Sequence, residues 1–275
     1  MAKKMEEGYG TKVLMNVVDA DHVDLSEFSE EKAKETRRFH ESIPVYNRTP
    51  LVHLRGLGEK LGVKGIYVKN EAERFGMKAF KGLGGTYAMF RILCRELGLD
   101  PEKVDFSEFQ KKETREKTAK YTFVTATDGN HGKGVSWASG LFGAQAYVYM
   151  PKGTVKAREE AVRQAGPAEV TVTDWNYDDT VKYAKKMSEE HGWFLIQDTS
   201  WDGYEEIPGW IMEGYLTMAS EAAEQIEALG EIPTHVFLQA GVGSMAGAVA
   251  GYLVNHYGKK APKFLIVEPD VADFI

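Results

Sequence analysis

Cysteine is almost absent from this sequence, and so is any surplus of positive charge. The single cysteine, Cys94, excludes an intrachain disulfide and permits a reducing compartment. Its helix-patterned surroundings point to a buried packing role. Lysine and arginine together number 34 against 41 aspartates and glutamates, a net charge of -7, which leaves no basic footprint for nucleic acid. Residues 1–10 contain lysines but no apolar core, so they do not read as a secretory signal, and a cytoplasmic location is expected by default. Long apolar runs are scarce as well. The one charge-free stretch that must be tested as a membrane span, residues 236–252, is interrupted by Gln239 and four glycines. It divides naturally into a strand, a turn and a helix beginning near Ser244, so no membrane association is expected. No internal repeat or low-complexity tract stands out.

What is present is a chain of 275 residues, 43% hydrophobic and 27% charged, enough for one large or two modest domains with a real core. Strand-like runs at 65–69, 122–127, 146–150, 169–173, 194–197, 236–239 and 264–268 alternate with helix-patterned segments at 80–97, 131–142, 155–165, 177–190, 210–228 and 245–257. That alternation predicts an α/β fold with parallel sheets flanked by helices. The charge-rich stretch 99–120 reads as a solvated excursion. Residues 201–210, with Gly203, Pro208 and Gly209, read as a crossing between two domains.

Three loops carry candidate chemistry. Asp128-Gly129-Asn130-His131-Gly132 follows a β-branched run, which places it at the carboxyl end of a strand, where open α/β sheets bind ligands. Lys81, between Phe80 and Gly82, can form an imine with an aldehyde cofactor if apolar surroundings leave some amine unprotonated, although one lysine alone is a weak signal. Gly241, Val242, Gly243, Ser244 and Met245 follow a strand and open a helix, where backbone N–H groups and the positive helix end suit a phosphate. The same loop fits G-x-G-x-x-A through Gly241, Gly243 and Ala246, with Glu268 closing the next strand. A nicotinamide dinucleotide therefore remains a rival ligand, and a purely structural turn a third reading. Asp128 and Asn130 weigh against the dinucleotide, which needs neither a lysine nor an aspartate on other loops.

With these pieces in order, the chain resembles the fold-type II pyridoxal phosphate enzymes, whose lysine sits in a motif like Phe80-Lys81-x-x-Gly84 and whose next loop usually reads Ser-x-Gly-Asn-His. Here that loop is Thr127-Asp128-Gly129-Asn130-His131. The aspartate is similar to the diaminopropionate ammonia-lyases. So are Asn70-Glu71-x-x-Arg74-Phe75-Gly76, Gln197-Asp198-Thr199-Ser200-Trp201 and Ile207-Pro208-Gly209-Trp210-Ile211-Met212, in a likeness running from about residue 46 to 269.

The resemblance implies a two-domain enzyme, with residues 1–85 and 208–275 forming the larger domain and 86–207 the smaller. It implies pyridoxal 5'-phosphate held by Lys81, its phenolic oxygen met by Asn130 and its phosphate by Gly241, Val242, Gly243, Ser244 and Met245, with no metal. It implies elimination of ammonia from D- and L-2,3-diaminopropionate, Lys81 serving as base for the L isomer and Asp128 for the D isomer, while Asp198 orients the substrate or shares its protons. A substrate with a second ammonium needs carboxylates for compensation when buried, which suits both aspartates. His131 is expected to be structural, because it begins the following helix. A homodimer is implied. Family members also continue well past the point reached at Ile275, so the part facing the pyridine nitrogen is expected to be missing. A serine or threonine dehydratase would keep Lys81 but suits Asp128 less well, and an inactive shortened homologue is the remaining alternative.

Overall fold

Strands buried on both faces need helices on either side, and the segment from residue 122 to 195 satisfies that need. The computed structural model describes residues 23–269; the readings of residues 1–10 and of the chain's end at Ile275 lie outside them. In chain order the elements are α1 (Glu30–Glu41), β1 (Leu51–His53), α2 (Arg55–Leu61), β2 (Tyr67–Lys69), α3 (Lys81–Leu97), α4 (Lys112–Thr118), β3 (Thr122–Ala126), α5 (Asn130–Phe142), β4 (Gln145–Met150), α6 (Lys156–Ala165), β5 (Glu169–Val172), α7 (Tyr177–His191), β6 (Phe194–Leu195), α8 (Glu206–Glu227), β7 (His235–Gln239), α9 (Ser244–Tyr257) and β8 (Lys263–Val267). A four-stranded parallel sheet has the order β5-β4-β3-β6, and β7 and β8 form a separate parallel pair. The central strand β3 buries Phe123, Val124, Thr125 and Ala126, as a strand covered on both faces must. Among the described residues no helix is long and apolar enough to cross a membrane.

The strand expected at 65–69 departs from the parallel pattern. It is short and runs antiparallel to β1, pairing Leu51 with Lys69 and His53 with Tyr67. The stretch 99–120 is not simply solvated either. Its charges lie on α4 and the turns around it, but Phe106 and Phe109 are buried, Phe109 meeting Phe142 edge-on at 5.0 Å and Phe90 at 5.8 Å. The crossing expected at 201–210 ends early, because α8 begins at Glu206 and takes Pro208 into its first turn, where the missing N–H costs nothing.

Helix α3 is the hub of the core. From Gly82 to Phe90 every residue is buried, and such an all-round buried helix must be packed on several sides; α5 and α8 lie against it, and Cys94 is buried within it. The crossing of α3 with α8 is so close that a β-carbon on Gly214 would stand 2.7 Å from both the Leu83 carbonyl oxygen and the Gly84 Cα. A β-carbon on Gly134 of α5 would stand 3.1 Å from the Lys81 carbonyl oxygen. Small residues thus let two helices clamp the first turn of α3.

The Asn70–Gly76 motif serves the scaffold. Residues Glu71–Gly76 form a 3-10 turn whose Arg74 is fully buried. Its guanidinium donates to Glu71 at 2.8 and 2.9 Å, to Glu221 of α8 at 2.9 and 2.8 Å, and to the Asn47 carbonyl at 3.1 Å. Tyr46 and Lys69 donate to the same Glu221 carboxylate, so a fully paired buried cluster fastens this segment to α8.

Candidate active site

Asp198 owes its position to an amide that stands in for a strand ladder. After β6 the chain stays beside β3 through the bond from Ile196 N–H to the Val124 carbonyl, 2.8 Å. The next residue, Gln197, is fully buried; its side-chain oxygen accepts from the Ala126 N–H and the Thr125 hydroxyl, each at 3.2 Å, and its amide nitrogen donates to Tyr177 at 3.0 Å. The Gln197 N–H donates to the Tyr204 hydroxyl at 2.9 Å, which in turn donates to the Leu195 carbonyl at 2.8 Å. With every group satisfied, the following residue is delivered to the carboxyl end of the sheet with its carboxylate only 3% exposed.

Lys81, the first residue of α3, meets it there. The Lys81 ammonium is ion-paired and hydrogen-bonded to Asp198 Oδ2. Burial opposes ionisation of Asp198, but the Lys81 ammonium, by its charge and its hydrogen bond, holds the carboxyl below the ordinary value. His131 approaches from the start of α5. Its Nε2 lies 2.8 Å from the Ile196 carbonyl, which can only accept, so Nε2 carries the hydrogen. Its Nδ1 stands 3.7 Å from Asp198 Oδ2 and has no hydrogen-bond partner, although buried. Burial depresses the imidazole pKa, with Asp198 opposing in part.

The Asp128–Asn130 loop forms the rim. The Thr127 hydroxyl accepts from the N–H groups of Gly129 and Gly132 at 3.0 and 3.1 Å, folding the loop onto the start of α5. Asp128 is 73% exposed and its carboxylate meets Arg158 at 3.5 Å; Asn130 is exposed as well. Neither is hydrogen-bonded to Lys81, so the pairing the structure makes directly is Lys81 with Asp198.

The glycine loop lies beyond Tyr215 of α8. That fully buried ring packs edge-on against Phe80 at 5.3 Å, its hydroxyl lies towards Ser244 without a hydrogen bond, and burial raises its phenol pKa. Gly243 has a positive φ of 85°, a conformation costly for a side-chain-bearing residue, and turns the chain from β7 into α9. Gly241 and Val242 are exposed, and the first-turn N–H groups of α9 have no helical acceptor. An amine on a helix start, an amide on a rim and a dipole-bearing glycine turn suit an aldehyde, a phenolic oxygen and a phosphate respectively. Two buried orphan atoms, His131 Nδ1 and Tyr215 Oη, flank this region. Among the described residues no group of three or more His, Cys, Asp or Glu gathers to hold a metal ion.

A model of the pyridoxal-phosphate dependent enzyme family matches residues 43–275. The chain belongs to that family. It is similar to the diaminopropionate ammonia-lyase of Escherichia coli K12, at 51% identity over 248 residues, covering 90% of this chain and 61% of that protein. The crystal structure of Escherichia coli diaminopropionate ammonia lyase in complex with D-serine superposes with a TM-score of 0.84 at 49% identity, over 89% of this chain and 61% of that one. The L-threonine ammonia-lyase of Geobacter sulfurreducens is more distant, 29% identical over 206 residues, 74% of this chain and 42% of that protein. The chain therefore spans less than two thirds of the curated relative it matches at 51% identity. Fold-type II architecture and pyridoxal phosphate as the family's cofactor are as the sequence predicted. The nicotinamide reading of the glycine loop falls, since that loop lies inside the matched region.

Sequence reasoning names Lys81, Asp198 and the glycine turn as candidates, quotes Gln197 only within a motif, gives Tyr215 no role and expects His131 to be structural; the structure sets the His131 ring 3.7 Å from Asp198 Oδ2. Tyr215 carries no local signal, and the motif at 197–201 assigns Gln197 no role of its own. For His131 the clue was its place one residue after Asn130, which puts its ring at the carboxyl ends of β3 and β6.

Proposed function

We propose that the protein eliminates ammonia from 2,3-diaminopropionate, as either isomer, and with one water gives pyruvate and two ammonia. The observation that carries this reading is the Lys81 ammonium resting on the buried Asp198 carboxylate, with a second acid, Asp128, on the neighbouring loop. When bound, pyridoxal phosphate supplies the electron sink that makes the substrate Cα–H acidic. Lys81 is then the attachment point and the base on one face, and Asp128 takes the proton on the other. Asp198 pairs with the β-ammonium and keeps it in place until it departs as ammonia. Asn130 donates to the cofactor's phenolic oxygen, and the N–H groups of Gly241, Val242, Gly243, Ser244 and Met245 meet its phosphate.

The same reading makes residues 86–207 a smaller domain beside a larger one of 1–85 and 208–275. It is supported by the four-stranded sheet, which lies wholly within the former segment. We also propose a cytoplasmic homodimer, as the likeness to the ammonia-lyases implies.

The test is to add pyridoxal phosphate, record the visible spectrum, reduce with borohydride and map the label by mass spectrometry. The label should fall on Lys81 and vanish in Lys81→Ala, and diaminopropionate should change the spectrum where serine and threonine do so less. A spectrum unaltered by Lys81→Ala would overturn the assignment, and a stronger response to serine or threonine would make the protein a hydroxyamino-acid dehydratase.

A further inference from the structure

Asp198 Oδ2 is shared by two nitrogen bases. Lys81 Nζ is bonded to it, and His131 Nδ1 waits 3.7 Å away with no other partner. The Ile196 carbonyl fixes the only other hydrogen on the ring at Nε2. In a neutral ring, therefore, Nδ1 presents a lone pair to a carboxylate oxygen, an arrangement tolerable only while a cation already occupies that oxygen. Remove the cation and a buried carboxylate faces a buried lone pair, each desolvated and neither satisfied. One proton between them relieves both.

We infer that His131 is a positioning residue that holds a reserve proton for Asp198, taking it up at Nδ1 whenever the Lys81 cation leaves Oδ2. The inference deepens the proposed function, since that reading requires the Lys81 amine to be engaged elsewhere while a carboxylate must still hold and release a substrate cation. No bond other than N–H or O–H is made or broken. The proton that Lys81 gives up passes to the His131–Asp198 pair, and it goes back to Lys81 Nζ when the free amine returns to Oδ2.

The remaining groups around the pair do not compete for this role. Asp128, on the loop before α5, is solvent-exposed and lies beside Arg158. Tyr177 of α7, Tyr204 before α8 and Tyr215 of α8 all feel the Asp198 charge, but burial raises each phenol above its ordinary value and keeps it protonated. Among the described residues, Lys81 is the one cation that touches Oδ2. The expected coupling is of the size seen when a carboxylate within 4–6 Å loses its competing counter-ion, about one pH unit or more.

The experiment reads the proton directly and needs no turnover. In the full chain labelled with ring-15N histidine, the His131 resonances are assigned by their loss in His131→Gln, and Nδ1 is titrated. In the unsubstituted protein Nδ1 should be unprotonated at neutral pH. In Lys81→Met the titration should move up by about one unit or more, and in the Lys81→Met/Asp198→Asn double variant it should move back. Lys81→Gln repeats the measurement with a polar side chain if the methionine variant is unstable. An unmoved titration in the lysine variants, or an upward shift that persists without the Asp198 charge, overturns the inference. Failure of the lyase activity with the titration behaving as described would instead overturn the proposed function and leave the proton-sharing pair standing.

Discussion

Replacing Glu221 with glutamine should destabilise the fold strongly at neutral pH and much less in acid. Glu221 is fully buried and receives the Arg74 guanidinium, the Lys69 ammonium and the Tyr46 hydroxyl. Burial works against its ionisation, yet Arg74 and Lys69 bring its pKa down from 4.5 to about 2. A carboxyl depressed on folding contributes stability that is present above its unfolded value and is lost as pH falls from about 4.5 towards 2. At about 1.4 kcal/mol per pH unit, that interval is worth roughly 3 kcal/mol. The figure agrees with the ~3–5 kcal/mol typical of breaking a buried ion pair by removing one partner. Arg74 would keep Glu71, but Lys69 would lose its carboxylate. For a chain of this size the loss should lower Tm by roughly 5–10 °C at pH 7. Thermal melts of both proteins across pH 3–7 test this, since the gap should narrow as the acid limb is entered. A gap that stays constant with pH, or one under about 2 °C at pH 7, would refute the account of Arg74 and Glu221 as a paired, charge-dependent clasp.

Glu213 should behave in the opposite sense: burial raises its carboxyl to about 7 despite Arg91 at 3.0 Å, so it contributes stability below about 4.5 that is lost as pH rises to 7. Melts of Glu213→Gln at pH 5 and 8 should show a gain over the unsubstituted protein at pH 8, of up to roughly 3 kcal/mol, that is much smaller at pH 5. At the α3–α8 crossing, Gly214→Ala should cost at least about 1–3 kcal/mol by overpacking and also weaken the pyridoxal phosphate absorbance, because the added carbon meets backbone at 2.7 Å. Gly209→Ala, on the same helix with nothing within 4 Å of its β-carbon, should be neutral or stabilising by up to about 1 kcal/mol, and equal losses in the two variants would count against the close-approach argument.

The sequence disclosed uniformly buried elements and also amphipathic ones such as α6 and α7, of which only Val162, and Thr180, Ala184 and Ser188, are buried. β3 and β4, covered on both faces, announce themselves as short runs of apolar and β-branched residues, and α3 as a long one. α1 was overlooked because its buried face consists of Ala33, Thr36, Phe39 and His40, half of them polar, so no apolar stripe is visible. Phe106 and Phe109 were hidden for a related reason. Their neighbours are charged, and only the three-dimensional position of Phe90 and Phe142 shows where their rings go. β6 is a strand of two residues, and its continuation depends on one glutamine side chain that no periodicity can foretell.

The site was legible as motifs and illegible as a circuit. Lys81 and Asp198 are 117 residues apart, and nothing local to either declares that they form a pair. Under the proposed function that pair bears on substrate choice. While the ammonium sits on Oδ2, Lys81 is protonated and cannot attack an aldehyde or remove a proton. Once the amine is engaged elsewhere the carboxylate needs another positive partner, a proton shared with His131 or a cation from the substrate, because an unpaired buried charge is costly. Under the proposed function the β-ammonium of diaminopropionate is such a replacement, whereas the hydroxyl of serine brings no charge to trade. Under that reading the carboxylate that pairs with Lys81 is the same one that meets the doubly cationic amino acid, with the His131–Asp198 pair holding a proton in the interval.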